Sequence, residues 1–213
     1  MQNEIPKNGC HITYYSNRHK KCPGAKWKEE NYEDGQLNGL SISWDQDGKI
    51  NSKKNYKDGW YHGEQTRYRY GFKETIINYK NNSISGICTT FYSNGQKKWQ
   101  GEATDTSDYD YAYLMKGKWT SWFATGEKEC EKYYEAKNEL VGKQTYWYRN
   151  GQMRCIYENR SVKKYWDREG NDITSLHFLA YSKNEKYYLD FFKEQKKDDD
   201  EFSVFFDRDI PPF

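Results

Sequence analysis

The sequence has no long apolar run and no large excess of charge of either sign. No stretch approaches the roughly 18 apolar residues of a membrane span, and the first ten residues lack the apolar core of a secretory signal. We therefore expect no integral membrane segment and no cleaved export signal. Lys and Arg number 34 against 32 for Asp and Glu, and this net charge of +2 gives no general reason to expect a nucleic-acid partner.

Cysteine is scarce, and its spacing shows no pairing pattern. The chain has five cysteines, which are Cys10, Cys22, Cys88, Cys130 and Cys155. An odd set without any C-x-x-C pair argues against a closed disulfide framework and against a zinc knuckle. Because free thiols persist in reducing compartments, we expect a cytoplasmic protein.

The common signatures of enzymes are missing as well. The sequence contains no G-x-S-x-G, no G-x-x-x-x-G-K-[ST] and no G-x-G-x-x-G, and its four histidines are not spaced as metal ligands. A nucleophilic Cys22 or Cys88 that meets a distant histidine is the remaining catalytic alternative. Cys130 and Cys155, however, each lie four residues after a repeated glycine, which is typical of a packing position. We expect no catalytic residue, no cofactor and no metal.

Aromatic residues are abundant instead. The chain has 21 Tyr, ten Phe and eight Trp, although its mean hydropathy is only -1.26. A chain this polar would be interpreted as disordered if the rings were absent. Large rings with polar edges suit half-buried strands, so we expect a thin, aromatic core.

One short pattern recurs along the chain: a glycine, an aromatic residue five positions later, and a second glycine four positions after that. The terminal copies are weaker, as expected for caps, and in the first copy Arg18 stands where the second glycine is expected. Two longer steps predict enlarged loops around 22–24 and 104–111. The seven copies, named repeats 1 to 7 below, start at Gly9, Gly39, Gly63, Gly86, Gly117, Gly142 and Ser161.

Each repeat predicts two antiparallel strands. Residues two apart share one face of a strand, so the third and fifth residues after the repeat's first residue lie on the same side. The pairs Asn94-Gly95 and Asn150-Gly151 are strong hairpin signals. Stacked hairpins pair their edges and align their rings. We therefore expect a mainly β fold, an elongated single-layer antiparallel meander of six to seven hairpins over residues 1–171.

Residues 172–213 depart from the repeat. A strand is predicted from Leu176 to Tyr181, a short helix after Ser182, and another strand over 202–206. We expect this short mixed α/β segment either to cap the open edge of the last repeat or to dock a partner.

Some of the rings on the opposite face of the central repeats are expected to stay partly exposed. Together with neighbouring Lys and Arg they have the chemistry to stack bases or sugars. The near-neutral charge instead favours ordinary alternating strand faces, and a repeat array more naturally presents an extended surface to another protein. The candidate partner-binding residues are Tyr92, Trp119, Phe123, Tyr146, Tyr148, Phe202 and Phe205.

The pattern G-x-W-x-x-W/Y-x-x-N-G-Q/E in repeats 5 and 6 resembles the variant MORN repeat of bacterial YwqK-type antitoxin-like proteins. The resemblance is good over 85–160, fair over 9–84 and absent from the tail. It implies a hairpin array without catalytic residues that binds a protein partner, and in some members an antitoxin or immunity role against a toxin. The alternative it implies is a structural or membrane-peripheral scaffold that binds phospholipid or a cytoskeletal-type partner. Without a basic cluster in the sequence, lipid contact is not favoured.

Overall fold

The computed structural model describes residues 6–16, 24–105, 113–135, 138–158 and 161–183. Within them the chain forms fourteen strands and one helix. The strands are β1 (Gly9–Tyr14), β2 (Lys26–Glu33), β3 (Gln36–Leu37), β4 (Gly39–Trp44), β5 (Ile50–Lys57), β6 (Trp60–Arg69), β7 (Phe72–Lys80), β8 (Ser83–Phe91), β9 (Lys97–Thr104), β10 (Leu114–Trp122), β11 (Lys128–Tyr134), β12 (Leu140–Trp147), β13 (Met153–Glu158) and β14 (Ser161–Tyr165). The helix is α1 (Thr174–Lys183), and it is too short to cross a membrane.

The strands form one open antiparallel sheet in chain order, with β3 as a side branch on β2. The predicted mainly β meander is confirmed. The chain divides into two compact units, the first comprising residues 1–126 with 134–139 and the second comprising 127–133 with 140–213. The short connections between successive strands explain this order, because antiparallel neighbours need only a tight turn.

The predicted sharing of a face is confirmed by the strand register. In β4 and β5, Ile42 pairs with Lys53 and Trp44 pairs with Ile50. We number positions from the first residue of each repeat, so that position 1 is the residue directly after it. The odd face is the side of the sheet that carries positions 1, 3 and 5 together with the residues that pair with them on the neighbouring strand. The other side is the even face. The register shifts by one residue just before position 5 in repeats 1, 2, 3, 4 and 6. Each shift is a β-bulge, which increases local twist and re-aims the ring that follows.

The turns share one hydrogen-bond pattern. In repeat 4 the amide of Tyr92 donates to the Gln96 oxygen and the amide of Gly95 donates to the Tyr92 oxygen. Gly95 has φ of +87°, a backbone conformation that residues other than glycine and asparagine rarely adopt. In repeat 1 the same role belongs to Gly24, whose amide donates to Tyr15. The turn glycine of repeat 1 is therefore Gly24, whereas the sequence pattern places this position at Arg18.

The first compact unit has its buried core on the even face. Cys88, Ala103 and Trp119 are at most 1% exposed and pack together. Trp119 pairs directly with Gly101, and its indole covers the space where any β-carbon on Gly101 would stand. Its Nε1 donates to the Glu102 backbone oxygen at 2.8 Å. Because Gly101 has no side chain, the Trp119 ring has room to pack over it.

The second compact unit packs β13, β14 and the helix around a small cluster of Cys155, Val162, Tyr165 and Ile173. The Tyr165 ring stacks on the His177 ring with 4.8 Å between centroids. The buried positions Cys130 and Cys155 confirm the predicted packing role of the two repeat-equivalent cysteines.

The strand predicted over Leu176–Tyr181 is wrong, because these residues belong to helix α1. Ile173 and His177 are both buried, four residues apart, and the His177 amide donates to the Ile173 oxygen at 3.0 Å. This i, i+4 spacing is helical. The helix and strand predicted after residue 183 lie outside the residues that the structure describes.

Candidate partner-binding faces

The odd face carries a row of half-exposed aromatic rings, each covered by a lysine from the preceding repeat. The Lys97 Nζ lies 5.5 Å from the Trp122 ring centroid, and the Lys128 Nζ lies 4.9 Å from that of Trp147. Such cation–π contacts contribute about 0.5–1 kcal/mol at exposed sites. In the part of the chain that the structure describes, four such pairs are Lys26 with Trp44, Lys73 with Phe91, Lys97 with Trp122 and Lys128 with Trp147.

Each of these lysines stands two residues after a turn glycine. Gly95 precedes Lys97, and Gly126 precedes Lys128, by that spacing. Three of the four lysines also donate to an acidic or amide side chain three residues onward, as in the 2.8 Å ion pair between Lys128 and Glu131. The turn fixes where the strand restarts, and the strand then fixes where the ammonium group lies.

The odd face of repeats 1 to 4 carries a band of lysines along its centre. The residues that pair with positions 3 and 5 of repeats 1 to 4 include four lysines and a single glutamate, Glu29. The lysines are Lys26, Lys53, Lys73 and Lys97. The near-neutral composition therefore hides a local cationic stripe. Sequence reasoning missed it, although the G-x-K that follows the turns of repeats 1, 3, 4 and 5 was a readable signal.

The rings at position 6, on the even face, connect successive repeats instead of facing solvent. The hydroxyl of Tyr92 donates to the Trp122 oxygen at 2.9 Å, and that of Tyr148 donates to the Trp166 oxygen at 2.9 Å. Tyr15 makes the same bond to the Trp44 oxygen at 2.8 Å. We call these three tyrosines the strut tyrosines. A turn asparagine adds to two of these connections, as Asn94 does by donating to the Ala124 oxygen.

The candidate binding rings that were expected on this face have different environments. Trp119, Phe123 and Tyr148 are buried, so the partial exposure expected for some of these rings does not apply to them: Trp119 fills the space over Gly101, and Tyr148 is a strut. Tyr92 and Tyr146 are half-buried. Phe202 and Phe205 lie outside the described part of the chain.

A polar cluster lies on the even face of the first compact unit. The Lys54 Nζ donates to the Tyr61 hydroxyl at 3.0 Å, and this hydrogen bond is the main reason that the Tyr61 pKa is lowered. Burial raises the pKa of the neighbouring Tyr56, whose ring centroid lies 5.0 Å from that of Tyr61. The Lys54 ammonium group thus lowers the pKa of one phenol, while burial raises the pKa of its neighbour.

The described cysteines are free thiols, and three of them are buried. Burial raises the pKa of the Cys88 thiol to about 11, which disfavours the thiolate that a nucleophile requires. Among the residues that the structure describes, no three metal-ligating side chains converge.

The comparisons with known proteins agree with the repeat geometry. No curated protein matches the chain. The family model described as the MORN repeat variant matches residues 37–58 and 140–158. The first match spans β4 and β5 of repeat 2, and the second spans β12 and β13 of repeat 6. MORN repeats generally bind proteins or lipids. The resemblance seen in the sequence is confirmed at these two hairpins, which are repeats of the MORN variant type.

Proposed function

We propose that this chain is a non-enzymatic, protein-binding repeat protein that accepts an acidic segment of its partner across the odd face. The observation that carries the proposal is the row of lysine-covered rings. Lysine and aromatic groups in alternation offer both an anion partner and apolar area. An extended partner segment with acidic and apolar side chains in alternation matches that surface.

Exposed apolar side chains support the odd face as the contact surface. Leu40 and Ile87, at position 1 of repeats 2 and 4, are 39% and 47% exposed. Together with the half-exposed rings at position 5 they make an apolar surface beside the lysine stripe. Contiguous apolar surface bordered by polar groups is typical of interaction sites.

The finer proposal is a toxin-like partner in the cytoplasm, which gives the chain an antitoxin or immunity role. The two MORN-variant hairpins support it by family resemblance. The buried free thiols of Cys88, Cys130 and Cys155 support a reducing compartment. Phe202 and Phe205 remain proposed contacts from the tail. The non-enzymatic part is supported by the glycines, rings and cysteines, which have structural roles where the chain is described.

A pull-down from native lysate with two matched variants tests the odd face. The variant Lys73→Glu with Lys97→Glu reverses the stripe, and the control Lys57→Glu with Lys80→Glu reverses two exposed lysines near the opposite ends of their strands. We expect one stoichiometric partner with the wild type and the control, and at least about tenfold less of it with the stripe variant. Equal recovery by both variants contradicts the lysine stripe as the contact surface.

Phospholipid scaffolding is the second candidate, because the same lysine stripe suits anionic headgroups. Co-sedimentation with vesicles of phosphatidylcholine and phosphatidylserine separates the two. Vesicle binding that the stripe variant loses, without any protein partner, would favour the scaffold and reject the protein-binding proposal. Suppression of a neighbouring toxin's growth defect by co-expression tests the antitoxin role.

A further inference from the structure

Repeats 2 and 3 lack the ring that repeats 1, 4, 5 and 6 place at position 6. Strut tyrosines occupy this position in repeats 1, 4 and 6, and Phe123 occupies it in repeat 5. In repeat 2 the residue is Asp45, which folds back on its own turn and accepts from the amides of Asp47 and Lys49 at 2.9 Å. In repeat 3 it is Arg69. The connection from repeat 2 to repeat 3 therefore has no strut from this position.

A cleft of about 360 Å³ is found where that strut would lie. It runs between the turn ends of repeats 2 and 3, where repeat 3 also has a turn one residue shorter. Tyr70 at this turn is 79% exposed. The lining residues are Asp45, Ile50, Asn51, Arg67, Tyr68, Arg69, Tyr70 and Glu74.

The cleft holds two arginines that share one carboxylate. The Arg67 Nε lies 2.7 Å from one Glu74 oxygen, and the Arg69 Nε lies 2.6 Å from the other. Both arginine side chains remain about two thirds exposed, at 64% and 65%. Because each guanidinium has five N–H donors, the terminal nitrogens can still pair with a second carboxylate.

We infer that this cleft is a recognition site for a tyrosine side chain of a protein partner that is flanked by an acidic residue. The ring takes the place of the missing strut, and its hydroxyl donates to the Tyr68 backbone oxygen as Tyr15 donates to Trp44. The neighbouring carboxylate pairs with Arg67 and Arg69. The site lies at the turn ends, and the inference does not depend on the proposed use of the odd face.

The chain itself shows which chemistry fills this position. Three strut tyrosines place a phenol against the oxygen of the next repeat's position 5. Tyr68 is position 5 of repeat 3 and lines the cleft. The arginine pair adds an anion preference that the strut sites do not need. A tyrosine with an acidic neighbour satisfies both features.

NMR titration of the full chain with two synthetic peptides tests the chemistry. The probe is acetyl-Glu-Tyr-Glu-amide and its control is acetyl-Gln-Phe-Gln-amide. We expect saturable amide shifts at Ile50, Asn51, Tyr68 and Tyr70 with the probe, and at least about tenfold weaker binding of the control peptide. Equal binding of the two peptides, or no saturable shift at these residues, overturns the inference.

Two variants keep the test specific. Arg67→Gln with Arg69→Gln should weaken probe binding by about tenfold, while Lys57→Gln with Lys80→Gln, which changes net charge equally, should not. In Asp45→Tyr, the chain's own tyrosine should fill the cleft as the missing strut, and probe binding should therefore be abolished. Its control is Asp167→Tyr in repeat 7, which loses an equivalent turn clamp and should leave binding unchanged. Retained binding in Asp45→Tyr would contradict the inference.

Discussion

Gly101 is the residue at which sequence and packing are most tightly linked. It lies in the middle of β9 without the positive φ of the repeat glycines, and the Trp119 ring lies directly over it. Sequence reasoning did not single out Gly101 and placed Trp119 among the candidate partner-binding rings. Only the cross-strand register shows that the smallest and the largest side chains oppose each other.

Gly101→Ala should destabilise the protein. A β-carbon there would lie 2.3 Å from the Trp119 ring, and the indole or the strand must move. Overpacking of this kind costs about 1–3 kcal/mol. Urea unfolding measures the free energy of unfolding. Glu102→Ala, on the exposed neighbour in the same strand, should change it by less than about 0.5 kcal/mol. A loss no larger for Gly101→Ala than for this control would contradict the packing account.

The Lys54–Tyr61 pair predicts a titration that can be followed directly. The Tyr61 pKa lies below its ordinary value of 10.0 because the Lys54 ammonium donates to its oxygen. Lys54→Met should raise the Tyr61 pKa, as read from the Cζ chemical shift of labelled tyrosine. Lys57→Met, three residues away and exposed, should leave it unchanged. An unchanged Tyr61 pKa in Lys54→Met would rule out this hydrogen bond as the cause.

The sign of the linkage to stability follows from that direction. Since the folded pKa of Tyr61 lies below the unfolded value of 10.0, its contribution is present above the unfolded pKa and is lost as pH falls through the folded pKa. Tyr56 acts oppositely, because burial raises its folded pKa. Its contribution is present below the unfolded pKa and is lost as pH rises through the folded pKa. Tyr56→Phe should therefore flatten the loss of stability that urea melts show as pH rises above the unfolded pKa of 10.0.

At the scale of the element, the hairpins were predictable and the helix was not. Asn-Gly turns, glycine spacing and alternating rings each indicate the same strand pair, and the structure has it. The segment after Asp172 has Ile173, Leu176 and His177 at helical spacing, but it also has aromatic residues that suit a strand. The contact of His177 with Tyr165, a residue of another element, decides for the helix.

The strut tyrosines should each contribute measurably to stability. Tyr148→Phe keeps the buried ring but removes the hydrogen bond to the Trp166 oxygen, which leaves that carbonyl without this donor. The expected loss is about 1 kcal/mol. Tyr70→Phe, on the exposed turn of repeat 3, should be neutral within about 0.5 kcal/mol in the same urea experiment. Equal effects of the two substitutions would show that position 6 does not hold successive repeats together.

At the scale of the whole molecule, the composition did not predict the local concentration of positive charge. The net charge of +2 conceals the lysine stripe, because acidic residues at other positions offset its charge. The recurring G-x-K in the sequence marks lysines that follow a turn. That these lysines lie over the ring of the following repeat could be recognised only from the structure. The fold class could be predicted from one sequence, whereas this surface needed the register.

The stripe also predicts a salt dependence of partner binding. Counter-charged association weakens as ions screen it, with a Debye length of about 8 Å at physiological ionic strength. The affinity of the captured partner should fall several-fold between 50 and 300 mM NaCl, mainly through a slower association rate in surface plasmon resonance. Lys73→Glu with Lys97→Glu should abolish that dependence. An affinity that is insensitive to salt in the wild type would contradict the electrostatic part of the account.

The central claim is that the lysine stripe of the odd face, with the rings it covers, is the surface that holds the partner. Lysine acetylation footprinting of the captured complex, read by mass spectrometry, tests it most directly. Partner binding should protect Lys26, Lys53, Lys73 and Lys97 while Lys57 and Lys80 stay reactive. Protection of Lys57 and Lys80 with an unprotected stripe would contradict the account.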